Sequence, residues 1–149
     1  SNNNYVSSKS IETISNAMDV GDPSNMKRIM DIYKNVENLK KELNSWSYSD
    51  NETKECILNT IQKENYLLDP HSAVGLLGLE EFLKNNSDFV GLFLGTAHPS
   101  KFADIIEPII NESVEIPISL KNVIDKEKQS TLLNNDYGDF SHYLLSNFR

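Results

Sequence analysis

The sequence predicts a mostly helical fold with one buried strand, and three observations carry that prediction. Helix-start signals stand at Asp22-Pro23, at Ser49-Asp50-Asn51-Glu52 and at Asp69-Pro70. Apolar residues then recur at steps of three and four, as on a helix with one buried face. The run at residues 89–94, FVGLFL, is instead unbroken and apolar, the pattern of a strand buried on both sides. One strand cannot make a sheet. Either the domain is nearly all-helical, or its strand joins a sheet whose other members lie outside this chain.

The elements follow in order. The opening SNNNYVSSKS is rich in Ser and Asn and lacks the apolar core of a secretory signal, so residues 1–9 read as a flexible lead-in. Asp22 is placed to cap a helix with Pro23 at its first position, where the missing amide costs nothing. Met26, Ile29, Met30, Tyr33, Val36, Leu39 and Leu43 give that helix one face, and Trp46 is expected to close it against the core. Ser49 and Glu52 form a capping box, opening a helix that turns Cys56, Ile57, Thr60 and Ile61 inward and ends near Glu64. Residues 66–68 connect it to the next helix.

Asp69-Pro70 opens HSAVGLLGLEEFLK, apolar nearly all round from Ala73 to Leu79 and therefore expected to be central and buried. Gly75 and Gly78 cost helix propensity there, which predicts a neighbour in close approach. After the strand at 89–95, Phe102, Ile105, Ile106 and Ile109 face one side of a helix that Pro108 bends or ends early. Residues 111–136 are mixed and polar and read as a surface-following segment. Phe140, Tyr143, Leu144 and Phe148 predict a short terminal helix.

Totals exclude several functions. The 149 residues are one domain's worth, enough to bury a core. A formal charge of −8 opposes binding to nucleic-acid phosphates or to an anionic membrane surface. Cys56 is the only cysteine, so neither an intrachain disulfide nor a thiolate cluster can form. No apolar stretch approaches the roughly 20 residues of a membrane span. His71, His98 and His142 lack metal-ligand spacing, and no phosphate-loop motif occurs. The expectation is a soluble cytoplasmic protein without a metal.

Three segments carry the candidate chemistry: SNAMDVGDPSN at 15–25, DPHSAVG at 69–75 and LGTAHPSKF at 94–102. Each sets polar residues among small ones at a helix start, where unpaired amides suit an anion or a polar ligand edge. Asp22 and Asp69 are first of all caps. His98 is equally suited to packing against the helix entrance or touching a ligand. Lys101 lies in the first turn of an exposed helix, without the desolvation or cationic neighbour that activates a lysine.

Read in order, "TISNAMDVGDPSNMKRI", "LLDPHSAVGLLGL" and "LFLGTAHPSKF", with the tail "VEIPISLKNVIDKEKQSTLLNNDY", resemble the threonine synthase family from about Ser10 onward. The resemblance implies that residues 10–149 are the C-terminal part of a fold-type II pyridoxal phosphate enzyme. The fold class is then α/β: mostly helical here, with the strand at about 89–95 belonging to a larger sheet. The family converts O-phospho-L-homoserine and water to L-threonine and phosphate. By the same resemblance Thr96 brings a hydroxyl to the pyridine nitrogen of pyridoxal phosphate. Ser15, Asn16, Ala17, Asp69, His71, Gly95 and His98 would line the pocket.

The family's Schiff-base lysine and cofactor-phosphate loop match nothing in this chain. No catalytic residue is therefore assigned here. The fragment alone is expected to be inactive, to need the upstream part of the enzyme as its partner, and to self-associate through surfaces left uncovered. Two alternatives remain at this point: a threonine synthase-like phospholyase, and a non-catalytic helical binding or assembly module derived from the enzyme.

Overall fold

Helix formation follows the start signals at two of the three expected places. The computed structural model describes residues 5–148, and the chain forms two units, the first ending at Glu115 and the second starting at Ile116. The first unit holds α1 (Asn25–Tyr33), α2 (Val36–Glu42), α3 (Asp50–Glu64), α4 (Pro70–Leu83) and α5 (Ala103–Ile110). Short 3-10 turns stand at Asn16–Met18 and Pro99–Phe102. The second unit holds α6 (Ile118–Ile124) and α7 (Tyr137–Asn147). No helix among the described residues is long and apolar enough to cross a membrane.

The third start signal, Asp22, is not a cap. Its carboxylate instead accepts a hydrogen bond from the Tyr5 hydroxyl at 3.1 Å, and α1 begins at Asn25 without a side-chain cap. Nor does one helix run from Met26 to Leu43. Lys34 takes a left-handed φ of 64°, and Asn35 starts a new helix by accepting from the Asn38 amide at 2.8 Å. A side chain that caps competes with helix continuation, and here it wins. Residues 1–4 of the expected lead-in lie outside the described residues. Ser8 bonds the Gly21 carbonyl through its amide, so closely that a Cβ on Gly21 would lie 1.9 Å from the Ser8 oxygen.

Helix α3 is built as its capping box demands. Glu52 donates its amide to the Ser49 hydroxyl, and its carboxylate accepts from the Ser49 amide at 2.7 Å. Asn65 closes the helix in the left-handed conformation. Cys56 and Ile57 are buried as expected, Thr60 and Ile61 are half-buried, and Thr53 is buried as well. Cys56 and Ile57 pack with Leu68 of the connector and Ala73 of α4, while Phe102, Ile106 and Val114 form a second cluster. Leu67 and Ile110 touch both. Helix α5 continues through Pro108 for two more residues before Asn111 ends it in the left-handed region.

The expected strand does not form. Residues 89–95 are extended without a ladder partner, and Val90, Leu92 and Leu94 are 93%, 89% and 86% exposed. A strand exists only through its neighbours' hydrogen bonds, and the described residues supply none. The segment instead runs antiparallel along α4. Phe89 meets Phe82 edge-on at 5.8 Å, Gly91 abuts Leu79, Phe93 lies beside Gly75, and Gly95 passes Ser72 at a distance that would leave room for a Cβ. Alternate residues thus face the helix while those between face outward, the two-residue period of extended chain.

Helix α4 is accordingly not buried all round. Pro70, Ser72 and Ala73 are buried, but Gly75 is exposed and Leu76 to Leu79 are half-buried. The close approach expected at the two glycines is not found: a Cβ would stand 3.8 Å from the Phe93 ring at Gly75 and 3.6 Å from the Trp46 indole at Gly78, ordinary contact distances that a larger residue would also allow. Trp46 lies beyond the end of α2 on extended chain and stays 43% exposed, so it covers α4 without closing a core. Within 111–136, α6 forms although the mixed, polar pattern there predicts no helix. Its residues are all exposed, in keeping with a surface-following segment. The terminal helix forms as expected, capped by Asp136 through the Asp139 amide.

The capping box is pH-sensitive. Hydrogen bonds from the Ser49 hydroxyl and then its amide hold the Glu52 carboxyl below the ordinary carboxylate range. A carboxylate lowered on folding adds stability above its unfolded pKa, lost as pH falls through the lowered folded value. Ser49→Ala is therefore expected to lower the urea midpoint at neutral pH and to lose less than wild type on acidification. Parallel midpoints across that range would refute the box as the source.

Candidate functional site

Asp69 sits at the N-cap of α4 and is 1% exposed. A carboxylate so buried must be neutralised by donors. One oxygen accepts from the His71 amide at 3.0 Å and contacts His71 Nδ1 at 2.9 Å, while the other accepts from the Ser72 hydroxyl. The partial positive charge of the α4 N-terminus faces the same group. The expected capping role of Asp69 is thus present, and the carboxylate also ties down two side chains of the first turn. His71 is 9% exposed in its side chain, and its ring lies against Phe102 at 4.7 Å between centroids.

The loop carrying Gly95, Thr96 and His98 passes near this first turn and leads to Phe102, whose ring packs on His71. A Cβ built on Gly95 would stand 3.6 Å from Ser72 Oγ. Two residues on, Ala97 packs against the cluster of Phe102, Ile106 and Val114. Thr96, beside Ala97, is exposed, and no group among the described residues bonds its hydroxyl. His98 is exposed and capping by function: its Nδ1 accepts from the Ser100 amide at 3.2 Å and contacts Ser100 Oγ at 2.9 Å. Lys101 is exposed, its Nζ 5.8 Å from the centre of the Phe102 ring.

The segment at 15–25 is built differently. Asp19 accepts from the Thr13 amide and from the Thr13 hydroxyl, both at 2.7 Å, so one carboxylate closes the loop. Ser15 Oγ lies 3.0 Å from Thr13 Oγ1, and the Ile14 amide donates to Asp50 at the start of α3. Asn16 and Ala17 stand exposed on the intervening turn. Segments 69–75 and 94–102 are therefore brought together, whereas no hydrogen bond among the described residues joins Ser15, Asn16 or Ala17 to either. Sequence reasoning misses Ser72 and Phe102 as members of the site; a Ser three residues after an Asp cap is the available signal for the first.

A cavity of about 590 Å³ lies along α4 between Trp46, Tyr48, Gly78 and Phe93. The Tyr48 hydroxyl is buried without a partner among the described residues, and burial, with the charge of Glu81 second, raises its pKa. Cys56 is buried, its thiol donating to the Ala73 carbonyl at 3.6 Å, and burial pushes its pKa up. A thiol in that state is a packing group rather than a nucleophile. No group of three or more potential metal ligands occurs among the described residues.

The family profile described as "Threonine synthase, C-terminal" matches residues 72–143. Over 137 residues the chain is 40% identical to the threonine synthase of Buchnera aphidicola subsp. Schizaphis graminum, covering 92% of this chain and 31% of that protein. It is 34% identical over 129 residues to threonine synthase of Escherichia coli, covering 87% and 29%. The crystal structure of threonine synthase from Escherichia coli superposes with a TM-score of 0.73 at 30% identity, over 96% of this chain and 33% of that one. A structure of PLP-bound threonine synthase from Brucella melitensis gives 0.62 at 23% identity, over 96% and 36%, a likeness of fold. The chain spans about a third of the length of these relatives.

Asp69→Ala removes the α4 cap and leaves the Ser72 hydroxyl and His71 Nδ1 without their acceptor. The expected cost is about 2–3 kcal/mol in urea unfolding, whereas Asp69→Asn, which can still cap, loses less. Equal losses in the two variants would show that the ionised carboxylate, rather than the cap, holds the turn.

Proposed function

We propose that this chain, which resembles the C-terminal third of threonine synthases, is the C-terminal portion of such an enzyme. The reaction is the conversion of O-phospho-L-homoserine and water to L-threonine and phosphate. The observation that carries the reading is Thr96: a hydroxyl left exposed beside the anchored Ala97, in the segment where the family resemblance puts the cofactor's ring nitrogen.

Pyridoxal phosphate, when bound, supplies the electron sink for this chemistry. The residues here fit one edge of it. Thr96 offers a neutral hydroxyl able to hydrogen-bond a pyridine nitrogen, and unlike an aspartate it does not hold that nitrogen protonated. Gly95 presents no side chain beside it. Ser15, Asn16 and Ala17 are proposed as pocket lining from the turn that Asp19 closes. His71 and His98 are structural at this site, the first held by Asp69 and Phe102 and the second capping a turn. Lys101, exposed and without a cationic neighbour in contact among the described residues, is not the Schiff-base lysine; that residue belongs to the upstream part.

The upstream part is also the proposed partner of this chain's uncovered surface. Val90, Leu92 and Leu94 make an apolar face with no described residue on it, and Phe89 beside them is 63% exposed. Such a face on an isolated fragment favours association. Light scattering of the isolated chain is expected to show oligomers that dissociate when the upstream part is supplied; a persistent monomer would remove this proposal.

In the enzyme with its upstream part present, Thr96→Val is expected to weaken cofactor affinity about fivefold or more, the loss of one buried hydrogen bond, and to alter the bound cofactor's absorption. Thr96→Ser retains both. Unchanged affinity and spectrum in the valine variant would overturn the assignment. Release of 2-oxobutyrate and phosphate without threonine would show a phospholyase instead.

A further inference from the structure

Capping occupies one nitrogen of the His98 ring and leaves the other unused. The Ser100 amide donates to Nδ1 at 3.2 Å, and Ser100 Oγ lies 2.9 Å from the same atom. A backbone amide can only donate, so Nδ1 is the bare, accepting nitrogen. The capping form of the ring therefore carries its hydrogen on Nε2, and the Ser100 hydroxyl donates to Nδ1 as well. No group among the described residues bonds Nε2. Ala97 packs on the cluster of Phe102, Ile106 and Val114, while Thr96 before it and His98 after it are exposed. Both flank an inward residue and stand on the open side of the loop. Residues 89–103 are also the longest stretch of the sequence without Asp or Glu, with Lys101 as their one charge, in a chain of formal charge −8.

We propose that His98 is a ligand-binding residue as well as a cap: its Nε2–H donates to an anionic oxygen, phosphate or carboxylate, of the molecule bound at the Thr96 loop. The inference rests on the reading of Thr96 given above for the place of that molecule. It adds a second donor to the loop and states which atom donates. A free imidazole divides its hydrogen between two nitrogens, and the Ser100 amide removes that choice. The donor is thus settled before a ligand arrives, which lowers the cost of ordering it at binding. Exposed Lys101 supplies positive charge in the same segment, and the neutral ring supplies a directed hydrogen bond. Along the sequence the nearest carboxylates, Asp88 and Asp104, lie outside the stretch, so an anion meets no acid of the loop itself.

His98→Ser tests the donor, since serine can still accept from the Ser100 amide as a cap but carries no hydrogen at the reach of Nε2. In the enzyme with its upstream part restored, it is expected to weaken binding of inorganic phosphate or of L-threonine about tenfold, the loss of one hydrogen bond to a charged group. Loss confined to inorganic phosphate assigns the acceptor as a phosphate oxygen, and loss confined to L-threonine assigns it as a carboxylate. Nitrogen-15 NMR of the wild-type ring, without ligand, is expected to find the hydrogen on Nε2. Ser100→Ala keeps it there, because the amide remains. Addition of the anion that His98→Ser binds weakly should move the Nε2 resonance further than the Nδ1 resonance.

The outcomes separate this donor from the Thr96 reading. Unchanged affinity of His98→Ser for both anions, with Thr96→Val effective on the cofactor, overturns the donor and leaves the Thr96 reading standing. A silent Thr96→Val with weakened anion binding in His98→Ser removes the Thr96 reading and leaves the donor. A ring hydrogen found on Nδ1, or an Nε2 resonance that neither anion moves, overturns the donor without any substitution, so the result does not depend on how the variant folds.

Discussion

A buried carboxylate at a helix start is the constraint on which this site depends. Asp69 cannot be left unpaired at 1% exposure, and the three donors that satisfy it come from one helical turn. Satisfying the carboxylate therefore fixes two side chains as well as the helix end. A cap exposed to solvent would leave Ser72 and His71 free to turn. The Phe102 ring packs on the His71 ring held in this way, which ties the far end of the loop from Gly95 to Phe102 to the same turn.

Helix α4 guides the chain along its whole length in the same manner. The Phe93 ring and the Trp46 indole lie beside Gly75 and Gly78, and Leu79 receives Gly91 where a side chain would collide at 2.6 Å. The extended segment follows the helix by shape, with no backbone ladder. Its inner face packs on α4 and its outer face is apolar and bare. Val90, Leu92 and Leu94 on that outer face are left without a covering neighbour among the described residues.

What was legible in the sequence was local. The capping box at Ser49 and Glu52, the Asp69-Pro70 start and the terminal helix each depend on atoms within a few residues, and each formed where the pattern put it. Asp22 shows the limit: the same Asp-Pro pair serves a hydrogen bond to Tyr5, 17 residues away, which no local rule registers. The break at Lys34 was written in Asn35, but the apolar spacing on both sides of it concealed the second start. The strand failed for a different reason: its apolar run encodes burial, and no strand among the described residues lies beside it to supply ladder hydrogen bonds.

The opposition between anchored and free groups explains why a lone hydroxyl stands at the seam between extended chain and helix. Ala97 packs on an apolar cluster, His98 bonds Ser100, and Phe102 lies on His71. The threonine hydroxyl beside them finds no acceptor among the described residues. Contacts of Ala97 and Phe102 order the chain that follows Thr96, so part of the entropy of ordering this loop is met during folding.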